Sequence, residues 1–279
     1  MDVPAHLYKY LPPERASDVI GELLIRFSQV SVMNDIEEFK PPIIGVAEEA
    51  EFGRKFRERA NVVRPGLMDV VEKQGPEYMT KLRNQAEQNL PQTLKTIYDM
   101  NDRNFGILSL SEESTGAFMW ERYADQGRGF LVEFDPSHSW FWQKIAEDDD
   151  LRHLRRVSYV NERTPSYLLA ISAQDYLYTK ERKWDYEKEW RIILNFNSAA
   201  RKAGKDKTAT DVLLFAIPPD CIVSVTVGYN AGHKFVQQVR AAIAATPCLS
   251  HIRLRAATRH QDGSIAIAAI ESVLEDDSA

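Results

Sequence analysis

The chain has 279 residues, 44% of them hydrophobic and 27% charged, an ordinary globular composition that can bury a core without disulfide or metal staples. Thirty-five basic against forty-one acidic residues leave a net charge of −6, so no overall positive field recruits nucleic acid, although a local basic groove stays open. Cys221 and Cys248 are the two cysteines; they show no CxxC or CxxH spacing, which excludes a thiolate zinc site and argues against a disulfide framework.

The opening residues 1–6 carry neither a basic nor an apolar leader region. The longest apolar stretches, 212–219 and 265–270, fall well short of the ~20 residues that span a bilayer. A soluble cytoplasmic protein with no membrane partner is therefore expected.

Taken in chain order, the alternation over 6–10 ahead of Pro12 and Pro13 predicts a short strand. Ala16, Val19, Ile20, Leu23 and Leu24 form a helical stripe over 14–24. A second strand over 24–27 overlaps its end, and a polar loop over 32–38 follows. Residues 46–101 are charged and helical, cut by Pro65-Gly66, Gly75-Pro76 and Pro91 into three or four helices. That segment reads as a helical insertion or cap and carries no evident chemistry.

Strand signals return at 105–111, with a short helix over 116–124 and strands at 130–134 and 157–160. A helix over 165–179, a strand over 190–196 and a mobile turn over 201–207 come next. Two strands (212–217 and 222–227), a helix (233–245), two closing strands (252–256 and 264–270) and a frayed tail at 275–279 complete the pattern. Eight or nine strands with clustered helices and hairpin-length connections predict an α+β fold. The expectation is a single domain over 1–279 with a mixed, mainly antiparallel sheet and the insertion at 46–101.

Three clusters are candidates for chemistry. The densest runs from Lys180 to Arg191. Alternation places Glu187, Glu189 and Arg191 on one face and Trp190 and Ile192 on the other. Such a face suits a solvent-exposed strand edge with a paired Glu and Arg. With Trp184, Tyr186 and Trp190 beside it, it also suits a surface that holds a sugar or a flat heterocycle.

The second cluster is Ser109-x-Ser111 ahead of Met119, Trp120 and Tyr123, which share a helical face, and Gly127-x-Gly129. It reads as core or as a ligand platform. The glycine pair permits close backbone approach but leads into a strand, so it is not a dinucleotide fingerprint, and there is no P-loop. The third cluster is Tyr8-Lys9-Tyr10, Arg26, Ser28 and Asn34-Asp35. Lys9 is either an ordinary exposed lysine or a cation that meets a phosphate or amide in a cleft. The six histidines are scattered without HxH or HExxH spacing, and no G-x-S-x-G elbow is present, so metal catalysis and a serine triad are not indicated.

Taken together, Leu7-Tyr8-Lys9-Tyr10, Asn34-Asp35-x-Glu37, Ser109-x-Ser111, Met119-Trp120-x-x-Tyr123, Gly129-Phe130 and Lys183-Trp184-x-Tyr186-Glu187-x-Glu189-Trp190-Arg191 resemble a bacterial family of domains of unknown function. The resemblance spans roughly residues 6–230. The usual loop pattern there is Asn-Asp-Pro-x-Glu, and Ile36 stands here in place of the proline.

More distantly, the order of strand, helix, short strand, aromatic helix and late strand headed by Glu-x-Glu resembles the ADP-ribosyltransferase fold. That resemblance implies a cleft for NAD as substrate, with transfer of ADP-ribose or hydrolysis of NAD. Glu189 would take the place of the hallmark glutamate, with Glu187 as base toward the acceptor. Arg26, Ser109 or Ser111 and Glu189 match one motif style of that superfamily; Lys9, Tyr123 and Glu189 match a modified second. Tyr123 or Trp120 would stack on nicotinamide, Lys9 or Arg26 would neutralise the pyrophosphate, and a serine at 109 or 111 would orient Glu189. Tyr10, Asn34, Asp35 and Arg191 complete the expected NAD-contacting set.

The resemblance further implies a bacterial toxin or anti-phage effector, with a protein or nucleic-acid acceptor and a partner or antitoxin protein. Two rival readings use the same residues. One is a non-catalytic ligand- or protein-binding module. The other is a Mg²⁺-dependent nuclease built on Asp35, Glu37, Glu187 and Glu189.

Overall fold

In the computed structural model, which describes residues 3–75, 77–147, 149 and 151–270, the first regular element is β1 (Leu7–Leu11). The helix expected behind it is shorter and irregular: a 3₁₀ turn at Pro13–Arg15 and five residues of π-helix at Ser17–Gly21. Proline at the start and Leu23 in the left-handed region (φ 54°) leave no room for a longer ladder, yet the apolar stripe still buries Val19 and Ile20. β2 (Leu24–Phe27) follows at its expected bounds, and β3 (Ile43–Gly45) precedes the helical segment.

Four helices fill that segment: α1 (Glu49–Val63), α2 (Leu67–Lys73), α3 (Glu77–Gln88) and α4 (Leu90–Asn104). Gly66 at φ 78° makes the first break, whereas Pro91 opens α4, where its missing N–H costs nothing. The segment has a small core of its own, Val46, Ala47 and Phe52 with Phe56, Met79 and Leu82 around them.

β4 (Phe105–Ser111), α5 (Ala117–Tyr123) and β5 (Phe130–Phe134) come next. The short strands β6 (Arg155–Arg156), β7 (Ser158–Val160) and β8 (Ser166–Tyr167) lead to α6 (Ala173–Leu177) and β9 (Thr179–Glu181). The helix expected over 165–179 is thus confined to α6, which a reciprocal Ser172–Asp175 capping box starts sharply.

β10 (Glu189–Asn195) is followed by β11 (Arg201–Lys205), in place of the mobile turn expected there. Arg201 is bound by Asp18 and Glu22, and Lys202 by Asp211, which pins that strand. β12 (Asp211–Ala216), β13 (Ile222–Val227), α7 (His233–Ala245), β14 (Arg253–Arg259) and β15 (Ile265–Ala269) complete the described chain; the tail expected to fray lies outside it.

The architecture is mixed α and β around a mainly antiparallel sheet of eight strands in the order β15-β14-β13-β5-β1-β4-β10-β6, in which β13 and β14 run parallel. A second sheet holds β11-β12-β2. One face of the large sheet carries Leu7, Leu108, Leu110, Val132, Trp190 and Ile192 into the main core with Val239 of α7. On the opposite face Tyr10 and Leu131 pack beneath Met119 and Trp120 of α5. Ser109, Ser111, Glu189 and Arg191 share that second face, because side chains alternate along β4 and β10 and the two strands pair Glu189 with Ser111 and Arg191 with Ser109.

The sheet has a fork in its middle. β1 meets β4 at one register position, Tyr8 with Ser111. Beyond it the strands part, and β4 instead exchanges two backbone hydrogen bonds between Ile107 and Ser28, at 2.8 and 2.9 Å. Close packing beside the fork explains the glycine pair. A Cβ on Gly129 would collide with the Leu11 carbonyl oxygen, and Gly127 (φ 76°) lies flat against the Tyr229 ring. Those glycines serve backbone packing rather than a ligand.

Candidate functional site

A cavity of about 220 Å³ occupies the fork. β1 contributes Tyr8, Lys9 and Tyr10; β4 contributes Ser109, Leu110 and Ser111; the loop after β2 contributes Asn34 and Glu38. Met119 and Tyr123 close it from α5, and Lys180, Glu187 and Glu189 form its acidic wall.

That wall comes from the segment Lys180–Arg191, by a route simple alternation does not describe. Glu187 ends a 3₁₀ turn (Arg182–Glu187), Lys188 adopts a left-handed conformation (φ 42°), and Glu189 opens β10. The left-handed residue brings both carboxylates to the cavity. Ser111 fixes the turn from behind: its hydroxyl donates to the Glu187 carbonyl at 2.6 Å and accepts from the Glu113 N–H at 3.0 Å.

Neither carboxylate is on a solvent-facing edge. Glu187 and Glu189 are 4% and 3% exposed and Arg191 is fully enclosed, so the exposed-edge reading of this face gives way to a buried ionic cluster. Burial of that much charge requires pairing throughout, and the pairing is dense. Lys180 Nζ lies 2.5 Å from Glu187 Oε2, 3.1 Å from Glu189 Oε2 and 3.4 Å from Glu38 Oε2. Arg191 donates from Nε and Nη2 to the two oxygens of Glu189 at 2.7 and 2.8 Å, and also pairs with Glu38.

The Tyr123 hydroxyl donates to Glu187 Oε1 at 2.5 Å and accepts from Asn34 Nδ2 at 2.8 Å. Tyr159 completes the shell, its hydroxyl accepting from the Glu189 N–H at 2.9 Å.

These contacts set protonation. Burial alone would raise the Glu189 carboxyl, but Arg191 and then Lys180 outweigh it and hold the group well below the usual carboxylate range. Burial works against the charge of Lys180 as well, yet Glu189 and Glu38 keep its ammonium protonated far above the ordinary lysine value. Glu38 goes the other way: burial raises it despite Arg191 and Lys180.

Lys9 differs from Lys180. Its ammonium spans the fork to the Ser109 carbonyl at 2.9 Å. Burial, reinforced by the Arg26 charge and opposed by Glu189 and Glu187, brings it down to about 8.

Of the residues singled out by sequence, the structure brings Glu187, Glu189, Lys9, Tyr10, Asn34, Ser109, Ser111 and Tyr123 to the cavity. Tyr10 presents its ring there and ties its hydroxyl to the Glu113 carbonyl. Four others stand elsewhere. Trp120 is fully enclosed beneath α5, edge-on to Tyr10, with its N–H on the Ser114 carbonyl, so it has no face for nicotinamide.

Arg26 is held by Asp206 at 2.6 Å and reaches the cavity only through its charge on Lys9. Asp35 accepts from Trp184 Nε1 at 2.8 Å, outside the lining. Arg191 lies behind Glu189 as its clamp. Two members of the buried ionic cluster were given no role by the sequence, Lys180 and Glu38. Nothing local marks them: one lies in a charged run and the other in an acidic loop, and only the packing of β9 and that loop against β10 buries them.

The acidic pair together with Asp35 and Glu37 does not form one site, since Asp35 is engaged with Trp184 and Glu37 extends to Lys40 at the surface. Among the described residues no group of three or more His, Cys, Asp or Glu is placed to hold a metal ion. No helix among them is long and apolar enough to cross a membrane.

Residues 119–192, which include Tyr123, Lys180 and the Glu187–Arg191 segment, match a family model described as "Protein of unknown function (DUF2971)". Comparison with curated proteins and with solved structures gave no match.

Proposed function

We propose that the cavity cleaves an N-glycosidic bond of NAD, transferring ADP-ribose to an acceptor or to water. The observation that carries this reading is the pair of carboxylates on the cavity wall, one clamped by Arg191 and Lys180 and the other by Lys180 and Tyr123. In the reaction the bond between ribose C1′ and the pyridinium nitrogen breaks and its electron pair stays with the leaving nicotinamide. Positive charge then develops on the ribose as an oxocarbenium ion. Fixed negative charge aimed at that position lowers the barrier, because no reorganisation is needed at the moment it forms.

Glu189 supplies a charge that its two cations keep ionised. Glu187, held by one donor on each oxygen and not by the paired N–H groups of Arg191, takes the role of base toward the attacking acceptor. The walls suit a flat ring: Tyr8, Tyr10 and Tyr123 with Met33 and Met119. At about 220 Å³ the cavity lies below the roughly 300–1,000 Å³ of pockets that enclose drug-sized ligands. It accommodates a ring with its sugar, and the rest of a dinucleotide lies outside.

Nicotinamide release from NAD by the wild type, Glu187→Gln and Tyr123→Phe tests the reading, with thermal unfolding measured alongside. We expect release by the wild type and a loss of about 10²-fold or more in Glu187→Gln, the size typical of removing a positioned acid–base group. Glu189→Gln is the poorer probe. It strips a partner from two buried cations, a change that costs about 3–5 kcal/mol when such a pair is broken. No release and no thermal shift at millimolar NAD would end the proposal.

A further inference from the structure

Beside the cavity mouth lies a strip of aromatic surface that the core leaves uncovered. On α5, Phe118 and Arg122 are four residues apart and share the outer face, while Met119, Trp120 and Tyr123 turn inward. Phe118 is 70% exposed, unusual for so large an apolar side chain. Its ring meets Tyr186 at 5.8 Å between centroids, and Tyr186 meets Trp184 at 6.1 Å. The Arg122 guanidinium sits 4.7 Å from the Trp184 ring centroid and, among the described residues, has no carboxylate partner.

The strip is continuous with the cavity wall. Tyr123 follows Arg122, Glu187 follows Tyr186, and Lys180 Nζ is 5.2 Å from the Trp184 ring.

We propose that this strip is a subsite for a purine nucleoside diphosphate: Phe118 and Tyr186 stack the base, and Arg122 pairs with the diphosphate. Base faces stack on exposed aromatic rings without needing a hydrogen-bond code, and a guanidinium fixed on a ring keeps its N–H edges free for phosphate oxygens. The inference deepens the glycosyl-transfer reading, since the cavity encloses only the nicotinamide–ribose end and the adenosine diphosphate half must lie at the rim. It names Arg122, rather than Lys9 or Arg26, as the diphosphate partner.

Calorimetric titration with ADP and, separately, nicotinamide mononucleotide tests it, on wild type, Phe118→Ala, Arg122→Ala and Tyr123→Phe. Both strip residues are exposed, so those variants retain the fold. We expect ADP affinity to fall about tenfold in Phe118→Ala, the loss typical of a removed stacking partner, and about tenfold in Arg122→Ala, which removes a charge-assisted phosphate contact. Tyr123→Phe should leave ADP affinity within about twofold, a difference of less than half a kcal/mol.

Failure of the wild type to bind ADP, or equal affinity in all four proteins, overturns the subsite. ADP binding that depends on Phe118 and Arg122 while nicotinamide mononucleotide does not bind upholds the subsite. That same result removes the glycosyl-transfer reading of the cavity.

Discussion

Lys9 and Lys180 face the same two carboxylates and titrate in opposite directions. Lys180 is within 3.4 Å of three carboxylate groups, which outweigh the cost of its burial, whereas the hydrogen bond of Lys9 goes to a neutral carbonyl. The difference has a measurable sign. In the folded protein Lys9 gives up its proton near pH 8, and in the unfolded chain near its ordinary value of 10.5. Between those values the unfolded chain binds more protons, so stability rises with pH through that window.

The steepest slope for one group is about 1.4 kcal/mol per pH unit. Lys9→Met should flatten the rise between pH 8 and 10.5 and leave the acid limb unchanged, as read by urea unfolding across that range. Sequence placed Lys9 on a strand and left open whether it is exposed or meets a group in a cleft; the structure buries it at the fork. Sequence offered no hint of the pairing that separates it from Lys180, because Glu38, Glu187 and Glu189 converge from two distant parts of the chain.

At the level of elements, patterns set by local alternation and glycine were readable. β2, β4, β5, β13 and α7 lie at their expected bounds, since each carries a full stripe or an apolar run closed by a polar or glycine turn. The strands that went unnoticed are short: β3 and β8, which pair with each other, β9, which pairs in parallel with the expected strand β7, and β6, which pairs with β10. Two or three residues hold too few alternations to register, and their partners lie far along the chain. β11 was hidden by its lysines and glycine, which suit an edge strand as well as a turn.

The Gly127-x-Gly129 turn illustrates a readable signal with a different cause. Its close approach is to Leu11 and Tyr229, so Gly129→Ala should lower stability by about 1–3 kcal/mol, the usual cost of overpacking. Gly232→Ala, whose added Cβ meets nothing within 4 Å, should stay near wild type in the same denaturation series and serves as the control.

Over the whole molecule, the large sheet consists of two groups of strands, β15-β14-β13-β5-β1 and β4-β10-β6. They join through the Tyr8–Ser111 pair and the Lys9 bridge to Ser109. The α+β class and the mainly antiparallel sheet were legible from the run of strand signals. The fork was not, because it is an absence of pairing between two strands that each look regular.

Where the two groups part, backbone amides lack the ladder that protects them elsewhere. Amide exchange at Ser109 and Tyr10, whose peptide groups point from β4 and β1 into the fork, should therefore be faster than at the fully paired Trp190 to Leu194, and a ligand seated in the cavity should slow the first set.

An interrupted sheet is also a mechanical object: two rafts with a slit between them, fastened at one end. A molecule lodged in the slit acts as the rung that the backbone omits, so its binding energy and the stiffness of the sheet are drawn from the same contacts. Tight ligands should raise the unfolding temperature of both rafts together, and substitutions that loosen the slit should weaken binding without touching the ligand.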